Sequence, residues 1–201
     1  MSWIKIIPFQ EATGKLKQLY QRVKGPDDNV DNIMMVHSLR PHSMEGHMHM
    51  YKYVLHHNGN TFPKWYLETI GVYVSILNDC HYCVEHHYQG MKRLVNDDDR
   101  SEKVRESLTV RKPEQVFSGK ELALLKYAEK LTLRPADLLE SDMNLLRSSG
   151  ADDGEILEVN QVTSYFCYAN RTVLGLGVNT DGDIIGLSPN ENDDPKNWNH
   201  A

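Results

Sequence analysis

The sequence predicts an all-α fold. Successive stretches carry apolar side chains every three or four residues, the spacing of one helix face. Prolines and cap-type residues fall between these stretches, where helices begin and end. No alternating run closes on a turn pair of the hairpin kind.

Taken in order, 11-EATGKLKQLYQRVK-24 reads as an amphipathic helix stopped by Gly25-Pro26, and a short helix is expected over 29–40. Pro41 suits the first turn of the next helix, 41–59, because its missing N–H is spare there, with Gly59 as C-cap. Pro63 opens 63-PKWYLETIGVYVSILN-78, which should pack through Tyr66, Ile70, Val74 and Leu77. Asn78 and Asp79 read as caps for a helix from about 79 to 95. The charged piece 97–108 reads as a solvated helix or loop. Ser118 and Glu121 have capping-box spacing and open a helix to 133. Another follows over 137–148, capped by Gly150, and 152–177 has the length of a final long helix. The expectation is one helical domain, 1–177, and a polar tail, 178–201, that stays extended or wraps a partner.

Composition narrows the function. A length of 201 residues, 40 % apolar and 25 % charged, suits one globular domain with a core that needs no staples. The net charge of −6 argues against a nucleic-acid or anionic-membrane partner, since both call for a basic surface. The first residues lack the apolar core of a secretory signal, and no apolar run reaches the roughly 18 residues of a spanning helix. The expected setting is therefore cytoplasmic, without membrane contact. Three cysteines are too few, and odd in number, for a secreted disulfide framework.

The chemistry concentrates in 77-LNDCHYCVEHH-87. Cys80 and Cys83 stand three apart, so on a helix they share a face about 5–6 Å from each other. In a first turn they would face unpaired N–H groups and the positive end of the helix dipole, which favour a thiolate. His87 lies four residues beyond Cys83, on the same face. Glu68 precedes the break at Asn78 by ten residues and His87 follows it by nine, so an antiparallel hairpin sets them at equal depth. A carboxylate beside an imidazole fixes its tautomer, and Glu68–His87–(water)–Cys83 becomes a route for a thiol proton.

Glu68, Cys80, Cys83 and His87, in the order E-x11-C-x2-C-x3-H, resemble the motif of alkylhydroperoxidase D-like proteins in the carboxymuconolactone decarboxylase superfamily. The Tyr between the cysteines resembles the subgroup of peroxidase-related enzymes, and 38-SLRP-41 and 170-NRTVLGLGV-178 agree. The resemblance implies a helical homo-oligomer that reduces hydroperoxides, with an external thiol as reductant. It implies Cys83 as the peroxidatic thiolate, Cys80 as its resolving partner, and Glu68 with His87 as proton relay. Tyr82 departs from the best-studied type, which has a histidine there. No flavin, haem or nicotinamide motif occurs, so no cofactor is expected.

Other readings compete. The same cysteines would serve a general disulfide oxidoreductase. A carboxymuconolactone decarboxylase would not need the pair. A zinc- or partner-binding module would use them with His86 or His87, though four ligands crowd badly on one helix. In 42-HSMEGHMHM-50 an apolar stripe explains His42, His47 and His49 better than a metal site does, with His49 or Tyr53 as candidates to line a pocket. Cys167 reads as an inert buried thiol, and Arg171 as a contact for the tail or a subunit.

Overall fold

The computed structural model describes residues 2–187 and Trp198. Among them the regular elements are helices only: α1 (Gly14–Val23), α2 (Asn32–Met35), α3 (Pro41–Leu55), α4 (Lys64–Leu77), α5 (His81–Val95), α6 (Asp98–Thr109), α7 (Gly119–Leu133), α8 (Glu140–Ser148) and α9 (Asp153–Leu176), with short 3-10 turns between some of them. The all-α expectation holds. No helix among the described residues is long and apolar enough to cross a membrane.

The core is organised around α4. From Tyr66 to Ser75 every residue of this helix is buried, as is Leu77, because α5, α9 and α7 surround it. A helix apolar on all sides belongs in the interior. Tyr66, Ile70, Val74 and Leu77 all point into this core. Thr69 satisfies its hydroxyl on the Trp65 carbonyl at 2.8 Å. At Gly71 the approach of α9 is so close that a Cβ would fall inside the Phe166 ring. Glycine is what lets these two helices meet.

Several ends differ from the sequence reading. Helix α3 stops at Leu55, short of Gly59. Asn60 Nδ2 donates to the Val54 carbonyl (2.9 Å) and His57 Nδ1 accepts from the Gly59 N–H (3.0 Å), so side chains satisfy the turn that Gly59 was expected to cap. Ser118 makes no side-chain cap bond, because the left-handed Gly119 (φ 53°) redirects the chain where the box would close. The capping box forms instead on α9, where Asp152 Oδ1 accepts from the Glu155 N–H at 2.8 Å and Glu155 returns the bond at 3.0 Å.

Past the left-handed Gly177, residues 178–187 form a strap that crosses back over α2 and α5. Asn32 Nδ2 donates to the carbonyls of Asn179 (2.8 Å) and Asp181 (3.0 Å), and Arg93 Nη1 donates to the Gly186 carbonyl (3.0 Å). A Cβ on Gly186 would sit 2.6 Å from Gln89 Cβ. Trp198 is buried under the Arg22 guanidinium, 3.5 Å from its ring. The remainder of the tail, 188–197 and 199–201, lies outside the described residues.

Candidate active site

The turn from α4 to α5 takes three residues, and each has a task. Asn78 closes α4, and its Nδ2 donates to Asn170 Oδ1 at 3.0 Å. Asp79 adopts the left-handed conformation (φ 54°), which Asp tolerates better than most residues. Cys80 is the N-cap of α5, its N–H held by the Ser75 carbonyl at 2.8 Å. The sequence reading put both sulfurs inside the first turn after caps at Asn78 and Asp79. That is corrected: reversing the chain in so few residues consumes Asp79, so the helix starts at His81 and only Cys83 lies within it.

Both cysteines are buried free thiols. They hydrogen-bond to each other and to the side chain of Asn170. The bond from Cys83 draws the Cys80 thiol below its usual range. The same bond, with burial, pushes Cys83 well above. In the resting pair the negative charge favours Cys80 and the proton favours Cys83.

Access separates the two sulfurs. Cys83 lines a cavity of about 50 Å³ together with Glu68, His87, His86, Asp31 and Tyr165. Cys80 is not among the residues that line it and lies in an apolar cluster with Val36, Val173, Val178, Tyr82 and Cys83. A space this small holds a few water-sized molecules. Glu68 is 2 % exposed, and its Oε2 meets His87 Nδ1 at 2.7 Å. His56 Nε2 stands 3.8 Å from the other carboxylate oxygen. Phe166 presses edge-on against the His87 ring at 4.6 Å, which restricts its rotation. The hairpin geometry thus brings Glu68 and His87 together, with Cys83 on the same wall. Tyr51 and Tyr165 are held as neutral phenols, pushed well up by burial.

No family model matches the sequence, and no curated protein matches it. Solved structures do. An uncharacterized peroxidase-related protein from Ralstonia eutropha JMP134, with an alkylhydroperoxidase AhpD core, superposes with a TM-score of 0.76 at 20 % identity, over 89 % of this chain and 91 % of that one. The chain has the AhpD-like fold. An uncharacterized peroxidase-related protein from Silicibacter sp. TM1040 gives 0.74 at 22 % identity over the same shares. A protein of unknown function from Agrobacterium tumefaciens gives 0.61 at 21 %, over 71 % of this chain and 93 % of that one.

Within this AhpD-like frame, several cavity residues escaped the sequence reading. Asn170 bridges the dithiol to α4, its Nδ2 donating to Ser75 Oγ at 3.0 Å. The signal was an Asn among the apolar residues of a long helix. Asp183 of the strap accepts from the Tyr82 hydroxyl at 2.6 Å and from the Asn32 N–H at 3.0 Å. Asp31 and His86 line the cavity as well. His47, rather than His49 or Tyr53, reaches it, since His47 shares the inward face of α3 with Met44, Met48 and Tyr51. His42 and Tyr53 are exposed. Cys167 is half-buried near Asn78 Nδ2, and Arg171 bonds the Cys167 carbonyl at 2.9 Å on the surface. Among the described residues, no group of three or more His, Cys, Asp or Glu side chains is arranged to hold a metal ion.

Proposed function

We propose that the chain is a thiol-dependent peroxidase that reduces hydrogen peroxide or organic hydroperoxides through Cys80 and Cys83, with Glu68 and His87 as proton relay. The observation that carries this reading is the 2.7 Å Glu68–His87 bond on the wall that also presents Cys83. With Nδ1 donating to the carboxylate, His87 Nε2 keeps its lone pair and accepts the thiol proton, directly or through a water. The Cys83 thiolate attacks one hydroperoxide oxygen. The S–O bond forms as the O–O bond breaks, and the departing oxygen leaves protonated. Cys83 is then a sulfenic acid. Cys80, already in contact, attacks that sulfur, so a disulfide forms and water departs. An external thiol donor reduces the disulfide and resets the pair.

Cys83 takes the peroxidatic role because it alone of the two reaches the cavity, although the resting charge favours Cys80. Moving the Cys83 proton is the task that a positioned base performs. Assembly into a homo-oligomer belongs to the same reading, and light scattering of the full chain checks it.

The deciding experiment counts thiols after stoichiometric hydroperoxide. The native chain should lose two, Cys80→Ser should stop at the sulfenic acid, and Cys83→Ser should not react. If the thiols ignore peroxide yet exchange with small disulfides, a general disulfide oxidoreductase replaces this reading.

A further inference from the structure

Helix α5 presents Cys83, His86, His87 and Gly90 to one cavity, at positions that share a helical face. Two imidazoles therefore flank one thiol. Each has a carboxylate from another element. His87 has Glu68 of α4 at 2.7 Å. His86 has Asp183 of the strap, with Nε2 3.3 Å from Oδ2. That second carboxylate is built in: its side chain is 1 % exposed and held by the Tyr82 hydroxyl and the Asn32 N–H. A third acid, Asp31 at the start of α2, lines the cavity and interacts electrostatically with His86. The His86 ring rests on its own-helix neighbour Tyr82, with centroids 4.6 Å apart. Its buried Nε2 makes no aligned hydrogen bond among the described residues, so the 3.3 Å approach to Asp183 is a charge contact rather than a hydrogen bond.

Resting on the peroxidase reading, we infer that His86 is the acid that protonates the departing oxygen, opposite His87, which takes the proton from Cys83. Reduction of a hydroperoxide moves two protons at two places: one off sulfur before attack, one onto the leaving oxygen as the O–O bond breaks. Two imidazoles, one taking a proton and one giving it, divide that work, as acid and base pairs do elsewhere. The Cys83 thiolate supplies the electron pair for the S–O bond. The O–O pair leaves on the outer oxygen, which takes the His86 proton and departs as alcohol or water. His87 then carries one proton more and His86 one fewer, and exchange with solvent restores both. Asp31 and Asp183 support the imidazolium before it gives up its proton. Burial pushes Asp31 up to about 6 and the Asp183 charge adds to the rise, while the interaction with His86 opposes it, so the two acids favour a positive charge beside them.

Leaving-group chemistry tests the assignment. Hydrogen peroxide and tert-butyl hydroperoxide expel strongly basic oxygens that need a proton, whereas peracetic acid expels acetate, which does not. His86→Gln should slow thiol loss about a hundredfold with the first two oxidants and only a few-fold with peracetic acid. Glu68→Gln should slow all three alike, because the thiol must lose its proton whatever the oxidant. Asp183→Asn should repeat the His86 pattern in weaker form, and it is the deciding variant if His86→Gln does not fold. Equal slowing of all three oxidants by these variants, or none, overturns the inference. A native chain whose thiols ignore every oxidant overturns the peroxidase reading itself.

Discussion

The two sides of the dithiol cavity are built in different ways. Glu68 and His87 come from consecutive helices, 19 residues apart in the chain, and meet inside the packed core. On the other side, Tyr82 and Asp183 are 101 residues apart and Asn32 and Asp183 are 151 apart. The first side is set by helix packing around the fully buried α4. The second hangs on a ten-residue strap without regular structure, held by side-chain bonds. Segments with few packed contacts open at lower free energy than core helices do. The Glu68–His87 side is therefore rigid, and the Asp183 side rests on a latch.

The largest expected effect lies on the rigid side. Glu68→Gln keeps the shape but removes the charge that orients His87, and thiol loss to peroxide should fall by about 10²–10³-fold. A fall of less than tenfold in single-turnover thiol counts would remove Glu68 from the mechanism. The packing that holds this side can be strained directly. Gly71→Ala drives a methyl into the Phe166 ring, and denaturant titration should show a loss of about 1–3 kcal/mol. An unchanged midpoint would mean that α9 can retreat from α4, and that the Glu68–His87 side is softer than its burial suggests.

The latch gives the next effect. Tyr82→Phe keeps the ring and deletes the hydroxyl that donates to Asp183 and accepts the Ile33 N–H at 3.2 Å. Losing a bond to a charged group costs about 1.5–3 kcal/mol locally. Hydrogen exchange should speed up at Asn32, Ile33 and the strap while the amides of α4 stay protected. Equal loosening of α4 would show the two sides to be one cooperative unit.

The smallest effect is a pH dependence. Burial raises the Asp31 carboxyl from 3.8 to about 6, so the folded chain binds that proton more tightly than the unfolded chain does. The resulting stability is fully present below pH 3.8 and is lost as pH rises through about 6. Asp31→Asn should thus be more stable than the native chain by about 1–2 kcal/mol at pH 7, and the gap should close by pH 4. A gap independent of pH would mean that Asp31 is solvated, and the Asp183 side open.

How much of this was legible follows from the same contrast. The hairpin side could be read because helical spacing places Cys83 and His87 on one face, and because Glu68 and His87 bracket the turn at Asn78. Even there the turn was misjudged by a residue. Cap preferences do not say that Asp79 will go left-handed and hand the N-cap to Cys80. Asn170 could be seen as a polar residue on an apolar helix, but not as a partner of the thiols. Asp183 sits in a segment whose Gly, Asn and Asp composition argues against burial, yet its carboxylate is covered because the Asn32 N–H and the Tyr82 hydroxyl hold it beside His86.

The sequence by itself determined the helical class, most helix limits and the packing of α4 through Tyr66, Ile70, Val74 and Leu77, and its spacing set Glu68, Cys83 and His87 near one another, since all of these follow from periodicity and local spacing. Only the tertiary structure decided which thiol faces the cavity, which imidazole meets which carboxylate, and that the strap closes the second side. Those outcomes depend on how helices far apart in the chain pack. No local pattern encodes a distance between residues 32 and 183.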